Sequence, residues 1–327
     1  MKSRIHYIDR LKGFAILLVI MGHVYGMAFD LTEEMVYKVI CSFHMPLFMF
    51  LSGLVASSGI TAPYWDRKKM VKKVRGLLLP LFVFGMCFTM TFANDFCSGL
   101  IGFLESPNKN GYWYLMTLAV FYLSLYVFRL NVKCKWYVDV ALAIVTWGGY
   151  FVLWKYMAQR ADYFCLLNCG NFYLFFILGA FCTKYGLTDW LMRKSWLVVV
   201  AGLLGYFALF GYVAPIHAVQ SLIKHIALPM CALMVVVPLF VRRESGVSYV
   251  ERGLEYIGRS TLDIYVLHYF LISILKDQRG LFPVNVSPVF AFLMILSLSL
   301  FISILCLWVG KVLHRSRWIE MVVYGHF

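Results

Sequence analysis

The sequence predicts an all-α, polytopic membrane protein with about ten transmembrane helices and both termini in the cytoplasm. Three observations predict it. Of 327 residues, 62% are hydrophobic and 14% charged, whereas a soluble domain carries about 25% charged residues. The apolar residues fall in runs of about 20, the length that crosses a hydrocarbon core. Lys and Arg also sort to two sides once ten spans are drawn.

The first span, near 11–29, follows a polar, basic mouth (Asp9, Arg10, Lys12), and His23 is the one ionisable side chain inside it. The start mimics a secretory signal, but Asp9 and His23 interrupt it and no small-residue cleavage pattern follows, so it reads as an uncleaved span. The second, near 38–58, contains Phe43-His-Met-Pro-Leu-Phe-Met-Phe-Leu-Ser-Gly53. Pro46 removes a backbone donor just past His44 and is expected to kink the helix, and Ser52 and Gly53 allow close helix approach. The third, near 76–97, follows the loop Arg67-Lys-Lys-Met-Val-Lys-Lys-Val-Arg75, with six cations in nine residues. The fourth, near 113–130, opens on Gly111-Tyr-Trp-Tyr-Leu115, the composition of an interfacial aromatic belt. The fifth to eighth fall near 137–157, 171–185, 196–213 and 223–241. The ninth, near 261–276, begins at Gly258-Arg-Ser-Thr-Leu-Asp-Ile-Tyr-Val-Leu-His268, where Ser260 reads as an N-cap. Tyr265 and His268, three apart, share a face. The tenth lies near 289–309. No internal repeat or linker divides the chain, so residues 1–327 read as a single integral-membrane domain.

With the N-terminus inside, 23 of the 30 Lys and Arg residues fall on the cytoplasmic side, six of them between Arg67 and Arg75. Removing any one span scrambles the split. His23 and His44 are then expected at one level in the outer leaflet, with Asp263 near the inner end of span nine. The formal charge of +14 is not gathered into one stripe, which argues against nucleic acid. The nine cysteines sit mostly alone in apolar runs as soft packing residues. Cys165 and Cys169 are placed in a loop with their redox state open. No Cys/His spacing suits a metal.

An ionisable residue inside a span is a functional-site candidate. On a helix the eleven residues from Lys12 to His23 make three turns plus about 20°, so the two share a face about 16 Å apart along the axis. A lipid-shielded passage along that face is expected to join a cation at the inner rim to a proton acceptor higher in the membrane. His23 reads either as a neutral imidazole tying helices together or as a general base, since an unperturbed pKa of about 6.5 suits proton transfer near neutrality. His44 divides between the same two readings. The cations at Arg67, Lys68 and Arg75 suit anionic headgroups and equally the phosphates of a nucleotide-bearing cofactor.

The series Tyr7-Ile-Asp9-Arg-Leu-Lys12-Gly13 running to His23, Phe43 to Gly53, Lys72 to Pro80, Trp113-Tyr-Leu115 and Gly258 to His268 resembles the acyltransferase 3 family, bacterial transmembrane O-acyltransferases of surface glycans. The blocks keep the family's order over nearly the whole chain. Two departures stand out. Lys12 occupies a place where arginine is usual, so charge is kept while bidentate contact is lost, and Gly76 falls where an arginine is often found.

The resemblance implies a multi-pass protein of the bacterial inner membrane that uses acetyl-CoA or another acyl-CoA and no metal. The basic inner mouth would hold the nucleotide phosphates, with Asp9, Arg10, Arg67, Lys68 and Arg75 on the donor side. The thioester would reach His23, which would take the proton of a glycan or lipid-linked sugar hydroxyl as it attacks; an acyl-imidazole intermediate is the variant. His44, Trp113, Ser260, Tyr265 and His268 would orient the imidazole or line the pocket. A homo-oligomer is compatible with the sequence. The reading from another class is a proton-coupled transporter or exporter with His23 and Asp263 as a relay; recognisable inverted halves are lacking, and it leaves the Lys12–His23 pairing without a use.

Overall fold

The computed structural model describes residues 6–58, 67–128, 135–187, 195–241, 248–276 and 287–325. Every regular element among them is helical. α1 spans His6–His23 and continues as a π-helix over Val24–Ala28. α2 is Met35–Ser58, α3 Arg67–Phe92, α4 Phe96–Glu105 and α5 Trp113–Val127. α6 is Trp136–Met157, α7 Leu166–Lys184, α8 Ser195–Leu209 and α9 His217–Val241, with a π-turn inside α9 at Ile223–Ala227. α10 is Tyr249–Arg259, α11 Thr261–Lys276, α12 Pro288–Leu313 and α13 Arg317–Tyr324.

Each of the ten predicted stretches overlaps a helix, but the third crosses the break between α3 and α4, the seventh runs past the end of α8, and positions 129–130 of the fourth lie outside the described residues. Among the described residues, seven helices are long and apolar enough to cross a membrane: His6–Ala28, Met35–Ala56, Arg67–Phe92, Trp136–Met157, Leu166–Lys184, His217–Val241 and Pro288–Leu313. The other three predicted spans fall on α5, α8 and α11, of 15, 15 and 16 residues. At 1.5 Å per residue these reach about 24 Å at most, short of a core about 30 Å thick. The basic stretch 67–75 is the opening of α3 rather than a loop, because Lys and Arg are good helix formers and no breaker interrupts them. Cys169 lies within α7 and Cys165 caps its start in a left-handed conformation, and both thiols are free. Pro46 lies within α2, and no helix boundary falls at it.

The chain forms two compact units, Met1–Leu51 with Gly186–Val309, and Ser52–Tyr185 with Gly310–Phe327. In the first, α1 packs on α10, α11 and α9, and α8 packs on α9. The tightest approach is α1 to α10: a Cβ on Gly13 would overlap the Leu254 carbonyl oxygen, and one on Gly258 would overlap that of Asp9. Two glycines facing opposite main chains let the helices touch backbone to backbone. α10 is amphipathic and starts with a capping box, Ser248 Oγ accepting from the Glu251 amide and Glu251 Oε2 from the Ser248 amide. The other Glu251 oxygen meets Arg10 Nη1 at 3.4 Å, both side chains nearly excluded from solvent. His6 Nδ1 donates to Glu255 Oε1 at 2.9 Å, and Arg259 also pairs with Glu255. The His6 hydrogen bond, aided by Arg259, holds the Glu255 carboxyl below its ordinary value.

In the second unit α3 packs on α5, α4 and α13, and α7 on α5 and α6. Here the loop before α5 is held by a buried lysine. Lys109 Nζ donates to the carbonyls of Leu104, Ser106 and Asp162 at 2.6–2.7 Å and is 1% exposed. It fixes three successive residues of positive φ, Lys109, Asn110 and Gly111, a strained backbone that surrounding structure must over-determine. The Asp162 carboxylate in turn accepts from the amides of Leu166 and Leu167 and caps α7.

Candidate active site

His23 is the last α-helical residue of α1, where the helix widens into the π-turn Val24–Ala28. Such turns are rare and recur at functional sites. α11 packs against this π-turn and brings two rings to His23. His268 lies with its ring centre 5.5 Å away at 36°, and Tyr269 meets it edge-on at 5.3 Å and 88°. Tyr265 stands 5.8 Å from His268. The structure therefore brings together His23, His268 and Tyr265 of the predicted set, and His44 lies within electrostatic range of His23.

The tautomers of two of these histidines follow from their partners. His268 Nδ1 lies 3.0 Å from the Ile264 carbonyl and His44 Nδ1 2.9 Å from that of Ile40. A carbonyl can only accept, so Nδ1 carries a proton in both, and in the neutral ring Nε2 presents a lone pair. His268 is 1% exposed and its Nε2 has no hydrogen-bond partner. His23 itself makes no hydrogen bond among the described residues, and its ring is held by aromatic contacts.

Along α1, the side chains that are not buried are His6, Tyr7, Lys12, Phe14 and His23. Lys12 and His23 share one face, as their spacing predicts. Between them on that face Ala15, Ile16 and Val19 are buried, at 0, 0 and 2% exposure. The passage expected there is covered by packed side chains rather than open, because large apolar residues fill the face between the two polar ends.

The other predicted residues separate by place. Arg10 pairs with Glu251, and Asp9 is buried with its carbonyl packed against Gly258. Ser260 sits at the joint of α10 and α11, where its carbonyl accepts the Ile264 amide at 3.2 Å and starts the α11 ladder. Arg67, Lys68, Arg75 and Trp113 belong to the second unit. Arg67 and Lys68 are exposed in the first turn of α3. Arg75 Nη2 donates to the Gly325 carbonyl at 3.0 Å, tying α3 to the end of α13. Trp113 stacks on Phe172 at 5.1 Å. A cavity of about 340 Å³ in the same unit, lined by Phe88, Thr89, Phe92 and Asn110 among others, contains none of the predicted residues.

Sequence reasoning missed Tyr269 and the carboxylates Glu251 and Glu255. Tyr269 follows His268 directly, so it sits about 100° around the helix from it and no shared-face rule selects it. The signal for α10 was present, a capping box, Ser-x-x-Glu, ahead of an apolar stripe at Leu254, Ile257 and Gly258.

The cluster offers a half-buried imidazole beside a second imidazole that can only accept, within an aromatic wall. That is an arrangement for proton transfer. The family model described as an acyltransferase domain matches residues 5–308. The nodulation protein NolL of Sinorhizobium fredii is 30% identical over 148 residues, which cover 42% of this chain and 40% of that protein. The chain thus matches well under half the length of this curated relative. No solved structure matches.

Proposed function

The chain belongs to the acyltransferase 3 family, and on that premise we propose that it moves an acetyl or other short acyl group from cytoplasmic acyl-CoA to a hydroxyl of a cell-envelope or exported glycan, with His23 as general base. The observation that carries this reading is His23 at the end of the Lys12 face, in ring contact with His268 and Tyr269. The protein works as a multi-pass protein of the bacterial inner membrane, with about ten spans and both ends inside. Lys12 draws the anionic donor to the inner rim by charge. The thioester carbonyl reaches His23 by a route other than the filled α1 face between Lys12 and His23. His23 accepts the proton of the acceptor hydroxyl as its oxygen attacks the thioester carbonyl. The thiolate then leaves and recovers that proton from the imidazolium. A hydroxyl needs this help and a thiolate little, so the base is the decisive group, worth about 10²–10⁴-fold in rate.

The test of reaction class is chemical analysis of envelope glycans from cells with and without the gene, paired with membranes fed radiolabelled acetyl-CoA. Gene-dependent label on glycan hydroxyls is the expected result. Export of a small solute with no labelled glycan would replace acyl transfer by transport.

A further inference from the structure

Resting on that reading of His23, we infer that His268 is its positioning residue, an imidazole in the role that a carboxylate fills in a Ser-His-Asp triad. A general base needs a partner that holds its idle nitrogen in the right tautomer and receives the N–H of the imidazolium once it forms. No carboxylate hydrogen-bonds to His23 among the described residues.

His268 has the properties the role requires. Its Nδ1 donates to the Ile264 carbonyl at 3.0 Å, and that bond fixes the ring and commits Nε2 to accepting. Nε2 is buried and has no partner, an expensive state for a polar atom. It is resolved when His23 turns an N–H toward it. The spacing fits: an N–H···N bond of about 3 Å between two imidazoles puts ring centres roughly 5.3 Å apart, and here they stand 5.5 Å apart. The two rings are near enough for this contact, and the His23 ring, which has no hydrogen bond to break, is required to turn a nitrogen toward Nε2 to close it. Tyr269, edge-on at 5.3 Å, limits the ring to that side. The packing of α11 on the π-turn at Val24–Ala28 sets the two rings at this distance.

With one His23 nitrogen donating to His268 Nε2, the other carries the lone pair and faces the acceptor hydroxyl. The hydroxyl O–H breaks and a His23 N–H forms. The substrate oxygen bonds the thioester carbon, the C–S bond breaks, and the thiolate takes the proton back. His268 keeps its own proton on Nδ1 throughout.

The role makes opposite demands on two substitutions. His268→Phe keeps a planar ring and removes the acceptor; His268→Gln loses the ring and keeps an acceptor oxygen near Nε2. Transfer of radiolabelled acetyl from acetyl-CoA to the envelope-glycan fraction, in membranes matched for protein level, is expected to show kcat at least 100-fold lower in His268→Phe with the acetyl-CoA KM within about twofold. His268→Gln is expected to recover at least tenfold over Phe. If Phe stays within threefold of the parent, or Gln is no better than Phe, the inference is overturned and His268 is a packing residue. His23→Ala, assayed alongside, separates the two levels. Activity retained there defeats the general-base reading itself, whereas its loss beside a fully active His268→Phe defeats only the role of His268.

Discussion

Gly13 on α1 and Gly258 on α10 face each other so closely that a methyl group on either would overlap the other helix's main chain, at the Leu254 and Asp9 carbonyls. This crossing seats the amphipathic α10 against the N-terminal half of α1, and α11 follows from its far end after a single residue, Ser260. The place of His268 beside His23 therefore depends on a contact between backbones about two turns or more from either ring.

Gly258→Ala is accordingly expected to destabilise the protein by about 1–3 kcal/mol, the usual cost of overpacking, and to lower activity with it. Gly253 on the same helix has nothing within 4 Å of its absent Cβ. Gly253→Ala should stabilise slightly, by up to about 1 kcal/mol, through helix propensity. Thermal unfolding in detergent distinguishes them, with the two variants expected to move in opposite directions.

Arg10 pairs with Glu251, both side chains nearly buried. Arg10→Met strands a buried carboxylate and should cost about 3–5 kcal/mol. Adding Glu251→Gln removes that charge while leaving an acceptor for the α10 cap, so the double variant should be more stable than Arg10→Met alone. A double-mutant cycle on unfolding, with the acetyl-CoA KM measured on each variant, separates structural pairing from donor binding. A KM that rises only with loss of Arg10 would place it at the donor site.

Ten apolar stretches, the Lys12–His23 face and the pairing of Tyr265 with His268 were legible because each rests on spacing along a single helix. Partners contributed by another helix were not. The mate of Arg10 is 241 positions away on α10, and nothing in the charge pattern selects Glu251 over other carboxylates. Tyr269 was hidden for a similar reason, since its use is set by how α11 meets the π-turn. The cover over Ile16 and Val19 was invisible too, because a lipid-shielded face reads the same whether it is open or filled.

Lys109→Met should be among the most damaging changes outside the spans. Three carbonyls lose one shared donor, and an unsatisfied buried acceptor costs about 1–3 kcal/mol. A loss of about 3 kcal/mol or more in unfolding is expected, with proteolysis appearing first in the loop between α4 and α5. A variant as stable as the parent would mean that the three left-handed residues hold themselves.

Acid should loosen α10 before the spans. The Glu255 carboxyl is held below its ordinary value of 4.5 by His6 and then Arg259. Its stabilising contribution is thus fully present above the ordinary glutamate range and is lost as pH falls through the lowered value. Hydrogen-exchange protection of α10, corrected for intrinsic rates, should fall between neutral pH and about pH 3, and His6→Ala should shrink that change. Equal pH dependence in both proteins would remove the His6–Glu255 contact from the account.

Lys12→Arg should keep activity because the charge remains, and Lys12→Glu should lose it, with the loss read as a higher acetyl-CoA KM. Equal activity in the two variants would show that Lys12 does not act through its charge.

The most direct measurement is transfer of labelled acetyl from acetyl-CoA to envelope glycan by His23→Ala, in membranes where insertion and protein level match the parent. Transfer is expected to fall by at least 100-fold. Transfer at the parental rate would contradict it, because no other group in the site has been assigned to take the hydroxyl proton.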